Sequence, residues 1–179
     1  SGIIARRISA TFSSVGIPSF FCDPAQALHG DMGQIERKDI LIVFSYSGNT
    51  SELTNMLKYA NRFRIKIIGI ASKPESVLLK ASDIKLLLPK VREADITGMV
   101  PTSSTSITLL LGDCLATTVM SKRKFSKEKF KIFHPGGNIG SSLLLAKDIM
   151  VVKKKLPVIE YKKNLKEALK IMSQKKLGV

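Results

Sequence analysis

Hydrophobic residues along this chain fall into short β-branched runs that alternate with longer stretches of helical spacing. The runs at 40–44 and 65–70 are almost continuously apolar, which is typical of strands covered by helices on both faces. This alternation predicts an α/β fold with a central parallel sheet flanked by helices. The predicted strands are 18–21, 40–44, 65–70 and 84–88, and the predicted helices are 3–15, 50–63, 75–81 and 102–120.

The pattern changes character at both ends of the chain. Ser1 leads directly into a helical pattern, so we expect a first strand of the sheet to precede this sequence. After residue 145 the pattern predicts a linker, a short strand at 157–159 and an amphipathic helix at 164–174. About 30 residues with one such helix are too few to bury a core. We therefore expect a domain over 1–145, truncated at its start, and a fragment of a second domain over 146–179.

Composition excludes several classes of protein. The 179 residues are 44% hydrophobic and 24% charged, which suits a globular chain rather than a disordered one. No apolar run approaches the roughly 18 residues that cross a bilayer, so we expect no membrane segment. The first residues lack the zones of a secretory signal, and two cysteines make a poor disulfide framework. These features favour a cytoplasmic location.

The net charge of +15 is concentrated in the last third of the chain. Residues 1–120 carry 13 Lys and Arg against 10 Asp and Glu, while residues 121–179 carry 16 against 4. The basic runs at 121–131 and 151–155 are mostly Lys, without the interleaved aromatic residues that stack bases or an Arg-rich face. We interpret them as solvated helix faces and linker. Attraction to nucleic acid or to an acidic partner is the alternative.

A hydroxyl-rich turn between the strand at 40–44 and the next helix is the most informative segment. A strand that turns into a helix start presents unpaired amides and the positive end of the helix dipole, which favours an anion. Gly48 allows a close backbone approach, and the lack of a phosphate-loop lysine favours a phosphate monoester. The alternative is an ordinary turn with Asn49 as N-cap and Glu52 as its capping-box partner. The hydroxyls that could bind the phosphate belong to Ser45, Ser47 and Thr50.

Two carboxylates are candidates for acid–base chemistry. Glu52 lies in the first turn of its predicted helix, where the dipole stabilises a carboxylate whatever its role. Glu93 lies in a polar loop that leads to a second hydroxyl-rich helix start at Thr102, Ser103, Ser104 and Thr105. Of these we take Thr102 and Ser103 as candidate substrate contacts. The alternatives are a solvated loop carboxylate and hydroxyls that only cap a helix.

Both histidines, His29 and His134, stand in glycine-containing loops. An imidazole beside Pro-Gly-Gly, as at His134, lies where the backbone can approach a ligand, and it can exchange protons near neutral pH. The alternative is a surface histidine in a linker. Neither histidine has another His or Cys within four residues, so zinc-ligand spacing is absent and we expect no metal.

Six segments of the sequence, in this order, resemble one family. They are SGIIARRISATFSS, FFCDPAQALHGDMG, SYSGNTSEL, SKPESVLLKASD, PTSSTSITLLLGDCLA and FHPGGNIGSSLL. Together they resemble the sugar isomerase (SIS) family, and within it the arabinose-5-phosphate isomerases, over roughly residues 1–150. Residues from about Lys147 resemble the first part of a CBS domain pair. The resemblance implies an SIS-type three-layer sandwich followed by a partial CBS domain.

This resemblance implies an activity and a set of partners. The reaction would be the reversible interconversion of D-arabinose 5-phosphate (A5P) and D-ribulose 5-phosphate, which in Gram-negative bacteria feeds synthesis of the lipopolysaccharide sugar Kdo. The family needs no organic cofactor and forms homotetramers whose active sites are completed by neighbouring subunits. A CBS domain would add a nucleotide or nucleotide sugar as ligand. The rival function is that of a sugar-phosphate sensor in a transcription regulator, which uses the same fold without converting its ligand.

Individual residues are carried over from the family position by position. The acid–base carboxylates fall on Glu52 and Glu93, and the active-site histidine falls on His134. His29 matches a histidine near the sugar, and Ser1 matches the serine of a Lys-Ser-Gly turn. The family's phosphate loop falls on the hydroxyl-rich turn described above.

The chain departs from the family pattern at several positions. The lysine that precedes Ser1 in the family is not in the sequence, so we expect a polypeptide that begins at Ser1 to be inactive. Tyr46 stands where Asn is common, and Asn49 stands where Glu is common. Residues 94–98 read ADITG where ACPLG is usual. These differences leave the fine sugar preference open.

Overall fold

The computed structural model describes residues 1–136, 144–152 and 155–177. Within these ranges the chain forms two compact units, Ser1–His134 and Pro135–Val179. The domain boundary that we place at residue 145 stays a prediction. The FHPGG segment beyond residue 136 and residues 153–154 of the basic run lie outside the described residues.

The first unit is built on a parallel sheet of three strands, in the order β1, β2, β3. Residue 42 of β1 pairs with residue 68 of β2, which pairs with residue 84 of β3. The predictions for 40–44, 65–70 and 84–88 are confirmed to within one residue. The strands are β1 (Ile40–Phe44), β2 (Lys66–Ala71) and β3 (Ile84–Leu87).

Helices cover both faces of this sheet and bury a core on each. On one face Leu57 and Leu78 pack over Ile67. On the other face Ile8 and Ala116 pack over the strand side chains that point to that face. The predicted three-layer α/β architecture is therefore confirmed. No helix of the described residues combines the length and apolar character needed to cross a membrane. The helices are α1 (Gly2–Ser14), α2 (Pro24–Ala27), a 3₁₀ helix (Asp31–Gln34), α3 (Leu53–Phe63), α4 (Val77–Ala81), α5 (Ser103–Lys122) and α6 (Lys127–Phe133).

The strand predicted at 18–21 is wrong. These residues form no ladder with any strand of the described chain. They line, together with β1, a cavity of about 720 Å³. A strand needs a hydrogen-bonded neighbour, and apolar alternation alone cannot show whether that neighbour is present.

Helices α1 and α5 run in the same direction along the second face of the sheet. Near their middle, Gly112 of α5 packs directly against Ile8 of α1, and the Arg7 guanidinium lies 3.3 Å from the Asp113 carboxylate. At their ends, Arg123 Nη1 donates to the carbonyl oxygen of Gly16 at 3.3 Å. The starts of the two helices therefore lie at one end of the unit, and their last turns lie at the other.

The second unit contains two helices among its described residues, α7 (Ala146–Ile149) and α8 (Leu165–Lys175). Asn164 caps α8 through a hydrogen bond from the Glu167 amide at 3.0 Å, and the Glu167 side chain accepts from the Asn164 amide in return. This confirms the helix predicted at 164–174. The strand predicted at 157–159 is wrong, since these residues form no ladder with any residue that the structure describes. The CBS assignment stays a prediction.

Candidate functional site

The loops that follow the three strands meet at one edge of the sheet. They span residues 45–52, 72–76 and 88–102, and parallel strands place all three beyond the same carboxyl edge. In open α/β sheets this edge is where ligands bind. Eight of the predicted site residues lie on the first and third loops or at the helix start that follows: Ser45, Ser47, Gly48, Thr50, Glu52, Glu93, Thr102 and Ser103.

Residues 45–52, named here the anion loop, are held together by their own side chains. The Ser45 side chain points inward, with the residue only 3% exposed, and its Oγ lies 2.7 Å from Thr50 Oγ1. Ser45 Oγ also accepts from the Gly48 amide at 3.1 Å. Ser47 is exposed, and its Oγ accepts from the Asn49 amide at 3.3 Å. Of the three predicted hydroxyls, those of Ser45 and Thr50 are thus bonded to each other, while Ser47 and Thr50 both belong to exposed residues.

Gly48 is required by the packing of the anion loop. Its φ is +68°, in the left-handed region where glycine is favoured, and a Cβ there would overlap the Ser76 side chain. The Gly48 carbonyl accepts from the Leu78 amide in α4 at 2.9 Å. The close approach that we predicted toward a ligand is therefore observed toward Ser76.

The alternative interpretation of this turn, an Asn49–Glu52 capping box, is wrong. Helix α3 begins at Leu53, three residues later than predicted, with Glu52 as its N-cap and no side-chain cap. The Asn49 side chain instead accepts from the Val77 amide at 2.9 Å and so caps α4. Because the predicted cap is used elsewhere, the start of α3 is left without one.

Free donors remain at the start of α3. Within the described residues the amides of Thr50 and Ser51 have no hydrogen-bond acceptor. The positive end of the dipole of the 11-residue α3 adds to these donors and to the exposed Ser47 hydroxyl. This arrangement suits the oxygens of an anion. No group of three metal-binding side chains forms among the residues that the structure describes.

Glu52 projects from the end of the anion loop. It is exposed, and its Oε2 accepts from the Ser51 hydroxyl at 2.9 Å. Hydrogen bonding from its own backbone, and then from Ser51, lowers the pKa of Glu52. Glu52, Thr50 and Ser1 all line the cavity of about 720 Å³. The structure thus brings a carboxylate and two other predicted site residues around one concave surface.

Glu93 is bound to the start of α5, in an arrangement named here the Glu93 cap. Its Oε2 accepts from the Thr102 amide at 2.8 Å, the Thr102 hydroxyl at 3.1 Å and the Ser104 amide at 3.2 Å. Hydrogen bonds from Ser104 first, and from the Thr102 backbone next, lower the pKa of Glu93 to about 2. Such a carboxylate stays ionised and is a weak base near neutral pH. Ser103 is the first residue of α5 and lies beside this cap.

Within the described residues, neither histidine is hydrogen-bonded to these carboxylates. His29 is exposed in the turn after α2, and its side chain has no partner among the described residues. The His134 ring stacks on Phe130 with centroids 3.8 Å apart, and its Nδ1 lies 2.9 Å from the Phe130 carbonyl oxygen. The adjacent Phe133 packs against Gly16, beyond the last turn of α1. Because α1 spans about 20 Å, His134 lies at the far end of this helix from Ser1.

The sequence prediction missed three residues that shape the site. Ser51 holds Glu52 and supplies an amide with no acceptor in the part of the chain that the structure describes, and Ser104 helps to hold Glu93. Tyr46 connects the anion loop to the other two loops. Ser51 and Ser104 stand in the motifs already singled out, and Tyr46 is a visible departure from the family pattern. Their partners, however, are set by tertiary structure.

Comparison with known proteins identifies the family. A family model described as the SIS domain matches residues 1–118. The chain therefore belongs to the SIS domain family.

Individual relatives extend this result. The chain is 43% identical over 178 residues to an uncharacterized protein of Rickettsia prowazekii, and 42% identical over 180 residues to the arabinose 5-phosphate isomerase KdsD of Pseudomonas aeruginosa. These alignments cover 99% and 100% of this chain, and 56% and 55% of the relatives. The chain thus spans about half the length of the curated relatives it matches. An E. coli CFT073 protein solved in complex with A5P has a TM-score of 0.73 and 36% identity, over 75% of this chain and 72% of that chain.

Proposed function

We propose that this chain carries the catalytic domain of an aldose–ketose isomerase that interconverts A5P and D-ribulose 5-phosphate. The observation that carries the proposal is the anion loop, whose Thr50 and Ser51 amides have no acceptor within the described residues and whose Thr50 and Glu52 line one cavity. Similarity to a named arabinose 5-phosphate isomerase along the whole chain, and to a structure in complex with A5P, supports this choice of substrate.

The reaction moves one proton between two carbons and one between two oxygens. A base removes the proton from C2 of the open-chain aldose, an enediolate forms, and the proton returns to C1. At the same time the O1 oxygen gains a proton and O2 loses one, so that the carbonyl moves from C1 to C2. The phosphate held by the anion loop supplies binding energy far from these atoms and positions them.

Glu52 is the better candidate for the carbon base. It is exposed, lines the cavity and is bonded to one side chain among the described residues, that of Ser51. Glu93 is bonded to three donors at the start of α5 and has a pKa of about 2, so in this geometry it orients the α5 start. The Glu93 cap would then present Thr102 and Ser103 to the sugar.

His134 would serve the oxygens in the site of a neighbouring copy. Its position beyond the last turn of α1 separates it from Ser1, Thr50 and Glu52 of its own chain. An assembly that places the far end of one copy at the carboxyl edge of another would bring the imidazole to the sugar. This geometry supports active sites shared between copies, and the homotetramer that the family resemblance implies would provide them.

The wider setting follows from the same proposal. We place the reaction in the cytoplasm, in the supply of A5P for Kdo and lipopolysaccharide synthesis. No organic cofactor or metal is needed for proton transfer of this kind. A nucleotide or nucleotide sugar would bind a CBS domain after residue 146.

The decisive test is turnover by the full-length protein. We expect A5P to be converted to its ketose, detected directly as D-ribulose 5-phosphate, and D-arabinose without phosphate to react at least about 100-fold more slowly. Binding of A5P in calorimetry without ketose formation would contradict the proposal and favour the sugar-phosphate sensor. Binding to DNA at physiological salt would instead support the nucleic-acid alternative for the basic tail.

A further inference from the structure

Tyr46 is in contact with all three loops at the carboxyl edge of the sheet. Its backbone carbonyl accepts from the Ser72 amide at 2.8 Å and the Ser72 hydroxyl at 2.7 Å. Its phenol oxygen accepts from the Val91 amide at 2.9 Å and donates to the Pro89 carbonyl at 3.3 Å. One residue of the anion loop is therefore bonded to the loops after β2 and β3.

The phenol hydroxyl is the part of Tyr46 that a packing role does not need. The ring packs against the core cluster that includes Phe44, Ile70 and Leu88, and a phenylalanine ring would fill the same space. Within the described residues the Val91 amide has no acceptor other than this hydroxyl. Removing the oxygen would leave a half-buried donor unpaired, which is unfavourable.

The two bonds of this hydroxyl join two parts of the site that are otherwise held separately. The anion loop is fixed by the hydrogen bond from α4 to the Asn49 side chain and by the hydrogen bond from Ser72. The Glu93 cap begins two residues beyond Val91 and is fixed to the start of α5. Among the described residues, no other hydrogen bond connects residues 45–52 with residues 88–102.

We propose that Tyr46 is a positioning residue that sets the distance between the bound phosphate and the Glu93 cap. The proposal rests on the isomerase function and adds a role that the reaction itself does not require of a tyrosine. The phosphate is held at one end of the substrate, and the Glu93 cap with Thr102 faces its reacting end. Loss of the hydrogen bonds of the phenol would let the Glu93 cap shift while the anion loop stays in place. Small shifts of this kind lower the reaction rate strongly.

The test compares Tyr46→Phe with Tyr59→Phe in the full-length protein. Tyr59 is a matched control because its ring packs on Phe63 of α3 and its hydroxyl has no hydrogen bond among the described residues. For Tyr46→Phe we expect kcat for A5P to fall about tenfold. KM and the inhibition constant of inorganic phosphate should stay within about twofold of wild type, because the anion loop keeps its other bonds. Tyr59→Phe should match wild type in kcat, in KM and in the phosphate inhibition constant.

Several results would overturn the proposal. Unchanged kcat in Tyr46→Phe, or a rise in KM and in the phosphate inhibition constant without a fall in kcat, would show that the hydroxyl does not align the reacting end. Equal losses in both variants would show a merely structural effect. Amide hydrogen exchange at Val91 gives a readout that is independent of activity, and it should be faster in Tyr46→Phe alone. Wild type could bind phosphate without any turnover of A5P while Val91 exchange is still faster in Tyr46→Phe alone. The isomerase function would then be wrong, and the hydrogen bond from the Val91 amide to the Tyr46 hydroxyl would still be supported.

Discussion

Single side chains at the carboxyl edge divide into those that hold the loops and those that are free to meet a ligand. Ser45 and Asn49 are occupied by internal bonds, to Thr50 and to the Val77 amide. The Thr50 and Ser51 amides and the Ser47 hydroxyl face outward. We therefore expect phosphate binding at this loop to depend on backbone geometry more than on the number of hydroxyl residues.

The two glutamates should respond differently to removal of charge. In the full-length protein, we expect Glu52→Gln to lower turnover of A5P at least about 100-fold, because the carbon base is lost. Glu93→Gln should lower it by less than about tenfold, because an amide oxygen can still accept at the start of α5. Steady-state kinetics with A5P measures both losses. A larger loss for Glu93→Gln than for Glu52→Gln would assign the base to Glu93.

Stability in acid gives a second readout for the Glu93→Gln variant. The folded-state pKa of Glu93, about 2, lies below its ordinary value of 4.5. Its contribution to stability is therefore present above about pH 4.5 and is lost as the pH falls toward 2. Urea unfolding at pH 6 and pH 3 should show a smaller loss for Glu93→Gln than for wild type. An equal loss would mean that the Glu93 cap does not form in solution.

At the scale of elements, the close contact between α1 and α5 depends on a glycine, Gly112, which has no side chain. Ile8 is 2% exposed and lies directly over Gly112, where a Cβ would overlap its side chain. Close approach at this point also allows the Arg7–Asp113 pair to form across the two helices. Because α5 carries the Glu93 cap and α1 begins beside the cavity, this contact helps to fix how the start of α5 lies relative to the start of α1.

Replacement of Gly112 by alanine should destabilise the protein. Overpacking costs about 1–3 kcal/mol, and better helix propensity offsets only about 1 kcal/mol of it. We expect a net loss of up to about 2 kcal/mol in the free energy of unfolding, measured with urea, and partial recovery when Ile8→Val is added. Gly33→Ala is the control, since nothing lies within 4 Å of a Cβ there. A stabilised Gly112→Ala variant would show that the two helices are not in close contact.

How far the sequence predicts these elements depends on where each one finds its partners. Strands such as 65–70 were predictable because a continuous apolar run in the sequence indicates a buried strand. The helix at 164–174 was predictable because its cap, Asn164 with Glu167, is local in the sequence. The strand at 18–21 failed because pairing is not local. The Asn49 cap failed because its true partner, the Val77 amide, lies 28 residues away. Glu93 and Thr102 were recognised as candidates, but their bond to each other appears only in the fold.

At the scale of the whole molecule, the parallel course of α1 and α5 determines which predicted residues can share a site. Both helices begin at the carboxyl edge, near Ser1 and the Glu93 cap, and both end where Phe133 and His134 lie. The length of α1 separates these two ends by about 20 Å. A site that needs both Glu52 and His134 therefore requires two copies of the chain.

The most direct test mixes two inactive full-length variants, Glu52→Gln and His134→Ala, under conditions that allow subunits to exchange. Each variant alone should turn over A5P at least about 100-fold more slowly than wild type. In an equal mixture about a quarter of the sites would combine an intact Glu52 from one copy with an intact His134 from another, so about a quarter of wild-type turnover should return. Absence of recovery, with mixed oligomers verified by native mass spectrometry, would contradict the shared site.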